Sequence, residues 1–363
     1  MDTTLSKAIS FVRIPLMIGI LFIHNSYSIH NDNSYVGLGY DIYHLICSFG
    51  SVLFPSICVP TFFFISGYLF FSGVGTFTIN QYQHKLRRRF FSLFIPFLLW
   101  NLIPIFIVLA KAIYRGQVLV FEVIKNFPSY FWDYKNGGSL INIFGWHVPI
   151  AFPIDGPLWF VRDLILMCII SPLVYGIIKH GKLIGVSVLV FLYIFSIWPN
   201  TIFLMLANSL CFFSLGAYFS ILKKKMYNTN LALPFFLLWL ASVVLVYVLH
   251  FSPVINNVMV RACNVFGVFA VINLATYIVS NYHCSWPKIL LESVFFVYAA
   301  HTIYVNGLVG AYILPILIPG DHYLLLLLKF LLSPFIIWGI CLAIYFFLKK
   351  WLPSLLMYMN GGR

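Results

Sequence analysis

Apolar residues along this chain do not alternate with polar ones. They run in long blocks, near 9–29, 52–72, 91–112, 157–178, 183–198, 201–222, 231–250, 259–280, 290–314 and 324–349. A helix needs about 20 apolar residues to cross the hydrocarbon core of a bilayer. The pattern therefore predicts an all-α polytopic membrane protein of about ten transmembrane helices, forming a single domain over residues 1–363. Most connections are short, such as the turn at Trp198-Pro199-Asn200. Two are longer: a polar loop at about 31–50, and a stretch at about 113–156 that mixes Trp, Tyr and Phe with Gly and Pro. That mixture predicts a folded outer cap at the membrane interface rather than a disordered linker.

Composition sharpens the picture. The 363 residues are 62% hydrophobic and 9% charged, with a mean hydropathy of +0.97. Water could not hold so much apolar surface, so the solvent is lipid. The first block carries Arg13, lacks a small-x-small site after it and is followed by similar blocks, which makes it a poor signal peptide. The seven cysteines are scattered without a Cys-x-x-Cys, so neither a disulfide framework nor a metal site is expected.

The net charge of +13 would suit nucleic acid, but its distribution excludes that partner. With the N-terminus inside, one side of the membrane collects fourteen loop cations, among them Lys85, Arg87 to Arg89, Lys223 to Lys225, Lys349 and Lys350. The other side collects four, all in the 113–156 loop: Lys111 at its edge, Arg115, Lys125 and Lys135. This is the positive-inside bias of a chain with both termini in the cytoplasm.

Charged or titratable groups remain within or at the ends of spans: Arg13, Arg162, Arg261, Lys329, Asp163, Glu292, His24 and His301. Such groups are costly in lipid and are functional candidates by default. In the first span, RIPLMIGILFIH puts Arg13 and His24 eleven residues apart. That is about 16 Å along a helix and nearly the same face. The plainer alternatives are a snorkelling interfacial arginine and a helix-capping histidine. In FFFISGYLFF, Ser66-Gly67 reads as a close helix crossing before a reactive serine. In HKLRRRFFSLFIPFLLW, Arg87, Arg88 and Arg89 serve topology and are equally suited to phosphate, while Pro96 frees a backbone carbonyl. In DGPLWFVRDLILM, Arg162 and Asp163 lie one or two turns in from the outer face. Helix neighbours point about 100° apart, so each is expected to seek a partner on another span. His301 reads as a hydrogen-bonded core group and Glu292 as a partner of Lys288.

These motifs together resemble the acyltransferase 3 family of multi-span bacterial membrane proteins, which O-acylate surface polysaccharides and related acceptors. Arg13 and His24 match its Arg, ten residues, then His in the first span. Phe63 to Gly67 match the aromatic Ser-Gly of the second span. Arg87 to Arg89, Pro96 and Trp100 match the third. Gly156 to Asp163 match a Gly-Pro-Leu-Trp-Phe-x-Arg-Asp stretch, and Tyr298 and His301 a late Tyr-x-x-His. The likeness is close over the first half of the chain and coarser over the second. The sequence ends at Arg363, without the extracytoplasmic hydrolase-like domain of larger relatives, so the acceptor is expected to reach the membrane domain itself.

The resemblance implies an acyl-CoA donor, acetyl-CoA before longer acyl donors, no metal, and a saccharide or lipid-linked acceptor presented outside a bacterial cytoplasmic membrane. A homodimer is compatible with it. It further implies that Arg13, Arg87, Arg88 and Arg89 hold the coenzyme A phosphates. His24 would take the acceptor's proton or carry the acyl group. Arg162 would stabilise the oxyanion or orient the acceptor, Asp163 or Asp155 would orient His24 or Arg162, and Trp159 and Asp155 would meet substrate. The alternative is a transporter or flippase of a saccharide or lipid-linked sugar, with a non-catalytic membrane partner behind it.

Overall fold

A computed structural model describes residues 3–27, 37–114, 125, 127–133, 139–143, 146–150, 152–197, 204–249 and 251–362. In hydrocarbon every backbone N–H and C=O must be satisfied within the chain, which leaves a helix as the way for each apolar block to cross. Among the described residues eight helical stretches are long and apolar enough to do so. One of them, Ser171–Ile194, holds the end of a crossing that begins at Trp159 and the start of the next. Lys182 (φ 46°, ψ −125°) breaks it, and a Cβ on Gly185 would lie 2.8 Å from the Ile177 carbonyl oxygen. Residues eight apart in a straight helix are about 12 Å apart, so the chain reverses at Lys182. The shorter apolar helix Ala207–Ile221 completes ten crossings among the described residues. An even number leaves both termini on the side marked by the basic loops.

The crossings share one apolar core whose buried members run from Leu5 to Met359. The closest approach joins the second crossing (Cys58–Phe71) to the sixth (Leu204–Ile221). A Cβ on Gly67 would collide with the backbone of Phe213, and one on Gly216 with the backbone of Phe64. Glycine at both positions lets the two backbones touch, as small residues do at helix contacts in lipid. The Ser66-Gly67 pair thus marks a helix crossing, as its sequence implies.

Part of the loop expected at 31–50 is helical instead, over Leu38–Ser48. Tyr43 and Cys47, four residues apart, are buried on its inner face. The 113–156 cap contains a short helix, Ser129–Trp132, and an antiparallel hairpin pairing Ser139–Ile143 with Trp146–Ile150. The Ile154 N–H donates to the Tyr130 carbonyl, 2.7 Å, and anchors that helix at the root of the fourth crossing. Cap residues 115–124, 126, 134–138, 144, 145 and 151 and the turn at Trp198-Pro199-Asn200 lie outside the described residues.

Several polar groups are tied structurally. Arg261 donates to the Tyr193 carbonyl (2.7 Å) and Asn257 Oδ1 (3.1 Å), joining the fifth and eighth crossings. Buried Lys329 donates to the Gly320 carbonyl (2.7 Å) and Asp321 Oδ1 (3.3 Å). Glu292 pairs with Lys288 at 3.6 Å and with Lys349 at 3.0 Å. A final helix, Pro353–Met359, folds back against the third crossing, where the Trp100 indole N–H donates to the Met359 carbonyl, 3.0 Å.

Candidate active site

A cavity of about 390 Å³ runs beside the first crossing (Thr3–Ile23). Ser6, Ser10, Arg13, Met17 and Ile20 line it. Their spacing of three and four is one helical face, and it covers about 20 Å of helix. Ser66, Leu69 and Phe70 of the second crossing form the facing wall, with Arg89 beside them and Phe295 and Tyr298 of the ninth crossing further along. The mouth, at Ser6 and Arg89, lies on the side of the basic loops. The inner end lies at Ile20 and Tyr298.

Inside the first helix stands Pro15, which has no N–H to give the Phe11 carbonyl. The Trp286 indole N–H takes that carbonyl at 2.9 Å, and its ring stacks on Phe11 with centroids 5.6 Å apart. This clamp fixes the stretch of helix from which Arg13 projects. At the mouth, Lys85 and Arg89, four residues apart on one face, both approach the Phe70 ring, at 5.3 Å and 6.0 Å. Lys85 Nζ also donates to the Phe70 carbonyl, 2.6 Å. Of the three arginines singled out in the sequence, Arg89 lines the cavity, whereas Arg87 and Arg88 are exposed. Lys85 was not singled out, because a lysine in a basic cytoplasmic run carries no signal of its own.

Beyond the inner end stands His24, one turn past Ile20 on the same face. Its ring meets that of His301, with centroids 5.1 Å apart and planes at 53°. His301 is fully buried, and its Nδ1 is 2.6 Å from the Tyr298 carbonyl. Tyr298 itself bridges cavity and histidines: it lines the former, and its ring is 6.3 Å from that of His301. The Tyr298 hydroxyl donates to the Pro157 carbonyl, tying the ninth crossing to the start of the fourth. The ninth helix breaks just past His301, at Ile303 (φ −75°, ψ 83°) and Tyr304 (φ 63°, ψ −20°). Left-handed backbone in a bulky residue is strained and persists where surrounding structure fixes it. Two contacts do so here: Lys111 Nζ donates to the Tyr304 hydroxyl, 2.9 Å, and Asn306 Nδ2 donates to the His24 carbonyl.

Asp155 is buried beside this break. Its Oδ1 accepts from the Thr302 hydroxyl, 3.0 Å, and its N–H donates to Asn101 Oδ1, 3.2 Å. Trp159 packs with its ring 6.2 Å from Phe63.

Arg162 and Asp163 have the partners on other elements that the sequence led us to expect, and depart from the reading in one respect. They pair with each other: Arg162 Nε and Nη2 donate to Asp163 Oδ1 at 3.0 Å and 2.9 Å. The three methylenes of arginine reach around the helix, so the 100° offset of the backbone does not keep the heads apart. Partners from other elements complete the pair. Arg162 Nη1 donates to the Trp132 carbonyl, 2.9 Å, the guanidinium lies 4.8 Å from the Trp132 ring, and Ser209 bonds Asp163. Phe160, Val161, Leu164 and Cys168 line the cavity, and Arg162 and Asp163 are not among its described lining residues. The structure thus places Arg13 and Arg89 on one cavity, His24 and Asp155 by the break in the ninth helix, and Arg162 against Trp132 of the cap.

What the arrangement can do follows from its parts. A cationic mouth, a narrow apolar shaft and a pair of imidazoles at its far end suit an extended ligand with an anionic head and a reactive tip. Among the described residues no group of three His, Cys, Asp or Glu side chains gathers as a metal site.

Comparison with known proteins agrees in kind. A family model described as an acyltransferase domain matches residues 6–348. A curated relative, the succinoglycan biosynthesis protein ExoH of Rhizobium meliloti (strain 1021), is 31% identical over 223 residues, 61% of this chain and 55% of the relative. The chain thus spans about half the length of the curated relative it matches. No solved structure matches.

Proposed function

The chain belongs to the acyltransferase 3 family, and from that premise we propose that it is an O-acyltransferase of the bacterial inner membrane. It moves an acyl group, acetyl in the first instance, from cytoplasmic acyl-CoA to a hydroxyl of an envelope saccharide or lipid-linked sugar on the outer side. The observation that carries the reading is the cavity that Arg13 and Arg89 line and Tyr298 closes, with His24 and His301 just beyond it. Guanidinium groups at and near its mouth match the phosphates of coenzyme A. The shaft of about 20 Å suits a pantetheine arm, and its tip would bring the thioester to the histidines. His24 is then the imidazole at the meeting point, placed to take the proton of the attacking hydroxyl or to receive the acyl group itself.

Of the two parts the resemblance implied for Arg162, the second, orienting the acceptor, is the one we favour. Held by Asp163 and holding Trp132, it fixes the cap helix over the outer end, where an acceptor would enter. Asp155 and Trp159 stand at the root of that entry.

Mass spectrometry of surface glycans from cells with and without the gene tests the proposal. A mass difference of one acyl group, 42 Da being that of an acetyl (about 42, from the ester's composition), is the expected result, together with saturable binding of acetyl-CoA by the purified protein. Identical glycans and no binding of acetyl-CoA would favour a carrier of saccharides instead.

A further inference from the structure

Resting on that reading, we propose that His301 is a second catalytic residue of the transfer, the base that takes the proton from the acceptor hydroxyl at its Nε2. Three observations converge on it. First, its tautomer is fixed. The Tyr298 carbonyl 2.6 Å from Nδ1 can only accept, so Nδ1 carries the ring proton and Nε2 keeps a lone pair in the neutral ring. Second, Nε2 is buried without a hydrogen-bond partner among the described residues, as are Asp155 Oδ2 and Asn306 Oδ1. A buried polar atom left unpaired costs about 1–3 kcal/mol and asks for an explanation. These three atoms all accept as ring nitrogen, carboxylate and amide carbonyl. What would satisfy them is a ligand that brings several donors, and a sugar face with its hydroxyls does that.

Third, the backbone is built to present this ring. The helix breaks at Ile303 and Tyr304, immediately after His301 and Thr302. Both sides of the break are pinned: Thr302 to Asp155, and Asn306 to the His24 carbonyl. These contacts hold His301 and His24 as a facing pair, their rings 5.1 Å apart. A histidine serving only to pack would need neither the break nor the second histidine.

The step is a direct transfer. The acceptor O–H bond breaks, its proton goes to His301 Nε2, and the oxygen attacks the thioester carbonyl carbon. The carbon–sulfur bond then breaks, and coenzyme A leaves as a thiolate that recovers the proton from His301. An ester and a free thiol result, with both histidines neutral again. In this scheme the proton transfer that the proposed function gave to His24 as one of two parts passes to His301, and His24, across the gap, donates a hydrogen bond to the thioester carbonyl.

The test replaces His301 in the full-length chain by Gln and by Ala. Three properties are read for each: the fold, by thermal unfolding in detergent; binding of acetyl-CoA; and acyl groups per repeat on surface glycans of cells expressing the variant. General base catalysis contributes about 10²–10⁴-fold. Both variants are expected to lose transfer by that order while binding acetyl-CoA within about threefold of wild type. His301→Gln keeps an acceptor oxygen but cannot take a proton, so it is not expected to rescue. Transfer by His301→Gln within a few-fold of wild type overturns the proposal. So does a loss of acetyl-CoA binding and of thermal stability in His301→Gln that accounts for the lost transfer, which would make the residue structural. A wild-type chain that acylates nothing overturns the proposed function itself, which separates the two failures.

Discussion

The imidazoles of His24 and His301 face each other with centroids 5.1 Å apart, although 277 residues separate them in the chain. They stand where the inner end of the cavity gives way to the outer part of the protein. Ile20, one turn before His24, and Tyr298, three residues before His301, line the near end of the cavity. The consequences of that geometry can be measured one at a time.

Arg13 and Arg89 line the cavity, whereas Arg87 and Arg88 are exposed. A charge-assisted hydrogen bond contributes about 1.5–3 kcal/mol, or about 10- to 100-fold in affinity. Arg13→Ala and Arg89→Ala are expected to weaken acetyl-CoA binding by that order, and Arg87→Ala and Arg88→Ala by much less. Calorimetry on the purified protein checks it. Binding should also weaken as salt rises, because charge attraction is screened.

Gly67 and Gly216 let the second and sixth crossings touch backbone to backbone. Overpacking a tight contact costs about 1–3 kcal/mol. Gly67→Ala should therefore lower the unfolding temperature and the yield of monodisperse protein, and Gly216→Ala should do the same. The two together should cost less than the sum, since both act on one contact.

The Arg162–Asp163 pair is buried, with side-chain exposures of 6% and 2%. Removing one partner of such a pair costs about 3–5 kcal/mol, because the other is left buried and unpaired. Asp163→Ala should destabilise the protein on that scale in thermal unfolding. Arg162→Lys should rescue little, since an ammonium cannot bond Asp163 through two nitrogens and also reach the Trp132 carbonyl. Limited proteolysis of the cap should become faster in both.

Much of this was legible in the sequence because lipid leaves so few options. Blocks of apolar residues had to be helices, and the lysines of the loops gave their direction. The Arg13–His24 face followed from helical geometry alone. Contacts across the chain were not legible. His301 read as a core group, since nothing local reveals that the first and ninth crossings meet there or that the helix breaks at Tyr304. Thr302 and Asn306, polar residues flanking that break in an apolar run, were the available signal. The expectation that Arg162 and Asp163 would not pair with each other failed for a different reason: the 100° rule describes backbone directions, and a long flexible side chain overrides it, while the outside partners are there in Trp132 and Ser209. Arg87, Arg88 and Arg89 could not be told apart by composition, because which of them faces the cavity depends on the rotation of one helix.

The most direct measurement is acyl transfer by His24→Ala in cells where it inserts and accumulates like wild type. The chain with His24 should add one acyl group to a surface glycan, seen by mass spectrometry. The variant should bind acetyl-CoA nearly as well, since its arginines are intact, yet leave the glycan unmodified. Glycans acylated to the wild-type level by His24→Ala would contradict the account.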